Sequence, residues 1–162
     1  MHTMRLLRLF VYAMMMLMAV SGAEAKDKKK SEAFSYEIMG AGSGKEGTCL
    51  VKVYVYGNTS DASIRKAAVH GVVFRGFSGT SSGVSQPALA PISAEEMNSE
   101  FFNSFMDVNG ECQNFASIVP GSYERIATAK GSKVGAVVQV QRTALRHRLE
   151  MQGVIKTLSS GF

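Results

Sequence analysis

The strict alternation of residues 48–56 constrains the fold more than any other feature of this chain. One set of positions is wholly apolar and the other is mixed, and this period of two is typical of a β-strand with one buried face. The apolar set is Cys49, Val51, Val53 and Val55, and the mixed set is Leu50, Lys52, Tyr54 and Tyr56. Residues 34–39 form a second, shorter strand candidate, and a glycine-rich stretch separates the two. We therefore expect an antiparallel hairpin with a long loop.

Three helices are predicted from apolar spacing and capping residues. The first is capped by one of residues 59–61 and carries small and apolar side chains at i, i+3, i+4 and i+7. The second begins with Ser93 as its cap, and Glu96 three residues later completes a capping box. The third is capped by Thr143 and ends at Gly153, which suits the position just after a helix.

A second hairpin is predicted from residues 122–128 and 133–141, with Gly131 and Ser132 in its turn. The elements then follow the order ββα-α-ββα. This order predicts an α+β domain, in which a four-stranded antiparallel sheet carries about three helices packed mainly on one face.

The first 25 residues have the three parts of a secretory signal peptide. Arg5 and Arg8 supply the basic part, residues 9–20 are apolar, and residues 23–25 (AEA) match the A-x-A cleavage pattern. A retained membrane anchor is the alternative, but a span takes about 20 apolar residues. We expect cleavage after Ala25, location in the periplasm or outside the cell, and no integral membrane span in the mature chain.

Residues 26–33 (KDKKKSEA) follow the cleavage site and are rich in lysine. They hold almost nothing to bury, so we predict a flexible basic tail, which either keeps the chain soluble or tethers it to anionic headgroups. Residues 34–162 are then a single α+β domain. The formal net charge of +5 is a mild excess.

Cys49 and Cys112 are the two cysteines of the chain. Export places them where disulfides form and persist, and an even count favours one bridge between them. The alternative is two free thiols, with Cys49 acting as a small buried hydrophobic residue of its strand. The sequence favours the disulfide.

Two glycine patterns match known motifs, and neither has the context that the chemistry needs. Residues 42–47 (GSGKEG) match G-x-G-x-x-G, but a strand follows them instead of the helix that would hold a pyrophosphate. Residues 79–83 (GTSSG) match G-x-S-x-G around Ser81, but they lie in a long loop after a helix. The histidines and cysteines show no metal-ligand spacing. We therefore predict no catalytic set, no cofactor and no metal.

Two groups of residues are candidates for binding. The first surrounds the loop after the first helix and is predicted to contact a partner: His70, Arg75, Phe77 and Ser81. The second is a basic helix face that suits an anionic polymer or lipid headgroup: Arg142, Arg146 and His147. The simpler alternatives are that Phe77 belongs to the core, that Arg75 complements a helix C-terminus and that the basic face is only solvated. Nucleic acid is not expected, because exposed aromatic residues are lacking near the basic face.

Two segments resemble a known group of proteins. Residues 67–77 (AAVHGVVFRGF) and the C-terminal run from Leu145, ending QGVIKTLSSGF, resemble an uncharacterised family of small exported proteins of Bacteroides-type Gram-negative bacteria. The resemblance covers most of the mature chain. It implies a periplasmic or outer-envelope location and no particular activity, cofactor or site.

Two functions follow as hypotheses. The first is a non-enzymatic exported envelope protein that binds a protein partner or an anionic envelope component. The alternative is a small periplasmic hydrolase or isomerase whose site is assembled around His70, with Glu95 or Glu96 as its carboxylate. A pocket that gathers His70, Arg75 and a carboxylate would favour the enzyme.

Overall fold

The computed structural model describes residues 34–79, 84–129 and 131–157. The described residues from Ser35 onwards belong to one compact unit. The predicted signal peptide (1–25), the predicted tail (26–33) and Ser81 lie outside the described residues. Within those described ranges, no helix is long and apolar enough to cross a membrane. The unit is α+β with an antiparallel sheet, as predicted.

Five strands form the sheet, and every pairing is antiparallel. The strands are β1 (Tyr36–Ser43), β2 (Cys49–Tyr56), β3 (Ala116–Ile118), β4 (Glu124–Thr128) and β5 (Gly131–Val140). β1 pairs with β2, and β2 pairs with β5 along eight consecutive positions. The predicted first hairpin is therefore confirmed, and the C-terminal half of the chain extends its sheet.

The predicted four strands are one too few, because the far edge of β5 is shared by two strands. β3 pairs with the end of β5 and β4 pairs with its beginning. Since both run antiparallel to β5, they act as one edge strand interrupted at residues 119–123. β3 has only three residues, which is too short for alternation to reveal. The turn before β5 also differs, because Gly131 already pairs with Thr128.

The described part of the chain contains four α-helices, where three were predicted. They are α1 (Asp61–His70), α2 (Ser93–Met97), α3 (Ser99–Phe105) and α4 (Arg142–Met151), with a π-helical turn at Gly71–Arg75 and a 3₁₀ turn at Glu111–Phe115. The predicted second helix is split at Asn98, which leaves helical geometry with φ −120° and ψ 37°. The Asn98 side chain donates a hydrogen bond to the Ala94 carbonyl at 2.9 Å, so it competes with the helical backbone.

Helix ends agree with the predictions only in part. The Ser60 hydroxyl accepts a hydrogen bond from the Ser63 amide and caps α1. Ser93 lies inside α2 and does not cap it, so the predicted capping box is wrong. Gly153 has φ +75° and follows α4, and the amide of Val154 donates to the Leu149 carbonyl at 3.0 Å. This is the six-residue closure expected after a helix that ends at a glycine.

The core lies between α1 and one face of the sheet, which we call the helix face. Ala67, Ala68, Val51 and Val53 are fully buried there, and small side chains let the helix approach the strands closely. Gly71 continues this approach, because a Cβ at that position would lie 2.5 Å from Cδ1 of Ile38. The end of α1 is thereby held against β1.

The opposite face of the sheet, which we call the far face, carries a network of charged and tyrosine side chains. Its members are Glu37, Lys52, Tyr54, Tyr56, Glu124 and Lys133. Lys133 Nζ lies 2.7 Å from a Glu37 oxygen, and Lys52 Nζ lies 2.8 Å from a Glu124 oxygen. The hydroxyls of Tyr56 and Tyr54 donate to Glu37 and Glu124, respectively.

The predicted disulfide is absent: Cys49 and Cys112 are both free and buried. Cys49 starts β2, where it pairs opposite Val140, and Cys112 lies in the 3₁₀ turn with its thiol 3.8 Å from the Asp107 carbonyl. Each side chain packs separately, which is the alternative that treats a cysteine as a small hydrophobic residue. Burial raises the pKa of Cys49 to about 11, so its thiol stays protonated.

Candidate functional site

His70 forms a hydrogen-bonded chain that joins three elements. It is the last residue of α1, and its Nδ1 lies 2.6 Å from the Tyr36 hydroxyl on β1. Its Nε2 lies 3.2 Å from Glu95 on α2. A carboxylate only accepts hydrogen bonds, so Nε2 carries the proton and Nδ1 accepts the hydrogen of the tyrosine. We call this group the Tyr36–His70–Glu95 chain.

Burial keeps the inner part of this chain uncharged. Burial lowers the pKa of His70 from its usual 6.5, although the carboxylate of Glu95 opposes that shift. Burial also raises the pKa of Tyr36, whose residue is only 5% exposed. Desolvation penalises a charged group, so a neutral imidazole accepts a hydrogen bond from a neutral phenol.

The π-helical turn after His70 places Arg75 against the same tyrosine. Arg75 NH1 donates to the Tyr36 carbonyl at 3.2 Å, and the guanidinium carbon lies 4.3 Å from the centre of the tyrosine ring. Gly76 ends the turn with φ +66°, where an added Cβ would lie 2.6 Å from the Gln86 carbonyl. The extra residue of a π-helical turn changes the direction of the side chains that follow it, and such turns are frequent at functional sites.

Arg75 borders an open cleft of about 520 Å³ between β1 and the loop that follows the π-helical turn. The lining residues on the loop side include Phe77, Ser78, Ser85 and Gln86, and those on β1 are Ile38 and Met39. The backbones of Phe77 and Gln86 exchange two hydrogen bonds, at 3.0 and 2.9 Å, which fix the base of this loop. Among the described residues that line it, the cleft therefore combines apolar and polar side chains with one cation.

Of the four residues predicted to contact a partner, two meet at one tyrosine and a third lines the cleft. His70 and Arg75 meet at Tyr36, and Glu95 supplies the carboxylate that the alternative function requires. Phe77 is only 8% exposed, so it is a wall of the cleft rather than a projecting contact. Ser81 lies outside the described residues.

Two of the three basic residues of α4 that were predicted to bind an anion have partners within the chain. Arg146 Nε lies 2.9 Å from Glu150, one turn away on the same helix, and this pairing neutralises its charge. Arg142 NH2 donates to the Pro87 carbonyl at 3.2 Å, and His147 is exposed. Anion binding by Arg142, Arg146 and His147 therefore stays a prediction, with two of the three side chains engaged within the chain.

Sequence reasoning missed Tyr36, the residue that links His70 and Arg75. Its position in the first strand candidate did not indicate a functional role, because tyrosine is a common residue in strands. An indirect signal lies in the run His70-Gly71, since a glycine inside an apolar helix marks a close approach to another element. That approach is made by β1.

Among the described residues, no group of three or more histidine, cysteine or acidic side chains is placed to hold a metal ion. Comparison with known proteins finds no matching family model, no matching curated protein and no matching solved structure. The function is therefore inferred from the geometry of this chain.

Proposed function

We propose that this protein is a non-enzymatic exported envelope protein that binds a protein partner in the cleft beside Arg75. The observation that carries the proposal is the position of that guanidinium at the mouth of a cleft with both apolar and polar walls. Its Nε and NH2 groups make no hydrogen bond among the described residues, so they are available to a ligand. An apolar cleft with a few placed polar groups is the usual form of a binding site.

A protein partner suits this cleft better than an anionic polymer. A polymer is held by several cations along its length, whereas Arg75 is the one cation among the described residues that line the cleft. Arg142 and Arg146 of α4 are engaged with partners of their own. The apolar side chains of Ile38, Met39 and Phe77 favour a ligand with apolar groups of its own.

Site-specific photo-cross-linking in intact cells tests the proposal. The photo-reactive residue p-benzoylphenylalanine replaces Ser85, which lines the cleft, or Asn103, an exposed residue of α3 that does not. We expect a cross-linked product of one defined mass from position 85 and none from position 103. Equal products from both positions, or none from position 85, would contradict the proposal.

Export is tested separately from binding. We expect the protein in the periplasmic or extracellular fraction, with Lys26 as its first residue after cleavage. Recovery of the uncleaved chain from the cytoplasm would show that the envelope assignment is wrong.

The alternative function, a small hydrolase or isomerase, has one observation in its favour: the 3.2 Å approach of His70 to Glu95. A carboxylate, an imidazole and a hydroxyl in series are the parts of an acid–base relay. Here the hydroxyl belongs to Tyr36, which is buried, and both nitrogens of His70 already have protein partners. Hydrolysis of chromogenic esters that is lost in His70→Asn would support the enzyme, and we expect no such hydrolysis.

A further inference from the structure

The edge of β1 that faces the cleft has one residue with free backbone groups. In a strand, alternate residues direct their N–H and C=O groups to the same edge. The Tyr36 carbonyl accepts from Arg75 and the Gly40 amide donates to Ser78, so both residues face this edge. Ile38 lies between them and faces the same edge, and it takes part in none of the hydrogen bonds that the described residues make there.

This free edge is closed at both ends. Arg75 covers the Tyr36 carbonyl on one side. On the other side the Ser78 carbonyl accepts the Gly40 amide at 2.8 Å, and Gly79 bridges to Gly40. A partner strand that ran straight along β1 would collide with the loop backbone at that point. A chain end that enters the cleft from solvent can pair with Ile38 alone and stop beside Arg75, so it need not run past Gly40.

The Arg75 side chain has two donor groups that bond no described residue, and these donors suit a chain end. The unengaged Nε and NH2 donors of Arg75 match the two oxygens of a terminal carboxylate. A cleft of about 520 Å³ holds only a few residues.

We propose that the cleft binds the carboxyl-terminal segment of a partner polypeptide, which extends the sheet at Ile38 and places its terminal carboxylate on Arg75. This inference rests on the proposed function and specifies the chemistry of the partner. Strand addition supplies backbone hydrogen bonds, the apolar walls accept alternate side chains, and the guanidinium selects a chain end.

Peptide binding measured by fluorescence polarisation tests this assignment on the intact mature protein. The probes are hexapeptides labelled at the N-terminus, with randomised C-terminal positions and either a carboxylate or a carboxamide end. We expect carboxylate pools to bind, and their carboxamide counterparts to bind at least about tenfold more weakly, since a charge-assisted pair is lost. N-methylation of the amide that pairs with Ile38 is expected to weaken binding about threefold or more.

Protein variants give a second readout. Arg75→Gln is expected to remove the preference for a carboxylate end, and Arg125→Gln, which deletes the same charge from exposed β4, is expected to keep it. Equal binding of both peptide ends, or binding by neither, would overturn the inference. If the cross-link at position 85 forms while both peptide ends bind equally, the proposed function stands and only the chain-end assignment fails.

Discussion

The two faces of the sheet use the same kinds of residue in opposite ways. On the helix face, His70 joins Tyr36 to Glu95, and on the far face Glu37 joins Tyr56 to Lys133. Both groups therefore combine a tyrosine, a carboxylate and a basic side chain. They differ in burial, because Tyr36 is 5% exposed and Tyr56 is 36% exposed.

Burial moves these groups towards different protonation states. On the helix face it lowers the pKa of His70 and raises that of Tyr36, so both favour their neutral forms. On the far face, the hydrogen bond from Lys133 lowers the pKa of Glu37, and the same bond raises the pKa of the lysine. The same residue types thus form a neutral hydrogen-bond chain where water is excluded and ion pairs where it is present.

The largest expected difference in the free energy of unfolding is between substitutions of two tyrosines, Tyr36 and Tyr56. Tyr36→Ala should lower the free energy of unfolding by about 3 kcal/mol or more, because it leaves a cavity in the core and removes a partner of His70. Tyr56→Ala, the matched control, should have a much smaller effect, since its site is open to solvent. Urea unfolding of both variants measures the comparison, and equal losses would contradict it.

The next largest expected difference in stability is between alanine substitutions of two glycines, Gly71 and Gly135. An Ala at position 71 would place its Cβ 2.5 Å from Ile38 Cδ1, and one at position 135 would lie equally near Tyr54 Cδ1. Gly71→Ala should cost about 1–2 kcal/mol, because overpacking in the core exceeds the gain in helix propensity. Gly135→Ala should cost more, because the Tyr54 ring is only 7% exposed and its hydroxyl is bonded to Glu124, whereas Ile38 Cδ1 is the end of a flexible side chain. Thermal unfolding of the two variants tests the order, and a reversed order would refute it.

Groups on the two faces of the sheet should affect stability in different pH ranges. Unfolded His70 takes up a proton near its usual pKa of 6.5, while folded His70 does so only at lower pH. Stability should therefore be complete above pH 6.5 and fall as the pH falls below it. The groups near the imidazole that set this shift are Tyr36, Glu95, Arg75 and Lys66.

Melting temperatures measured from pH 7.5 to pH 5, in steps of about half a pH unit, check this dependence of stability on pH. His70→Asn should flatten it, and His147→Asn, at an exposed position of α4, should leave it unchanged. On the far face, the lowered pKa values of Glu37 and Glu124 make stability fall only as the pH drops below their usual 4.5. A wild-type slope that survives in His70→Asn would show that another group titrates.

The smallest expected effect is the salt sensitivity of the far-face ion pairs. A double-mutant cycle of Lys52→Met and Glu124→Gln should show coupling at low ionic strength that disappears in about 1 M salt, where the Debye length is about 3 Å. The cycle of Tyr36→Phe and His70→Asn should be insensitive to salt, because both groups are neutral at pH 7.5. Similar salt dependence in the two cycles would remove the distinction between the faces.

Sequence reasoning predicted the local elements well and their assembly less well. The alternation of residues 48–56 identified β2, and Gly153 identified the end of α4. The three-residue β3 and the break at Asn98 were missed, because neither changes the hydrophobic pattern of its surroundings. Of the candidate site, His70, Arg75 and Glu95 were identified, while Tyr36 and the cleft at Ile38 were not.

What the sequence determined by itself is the alternation of apolar and polar residues along each element, since that pattern depends on neighbours a few positions apart. It was sufficient to give the α+β class and the antiparallel sheet. The tertiary structure alone decided that Tyr36 meets His70, 34 residues away, and that His70 meets Glu95 another 25 residues along the chain. It also left Cys49 and Cys112 unbonded. Such contacts depend on how α1 packs across the sheet, and packing between distant segments leaves no periodic trace in the sequence.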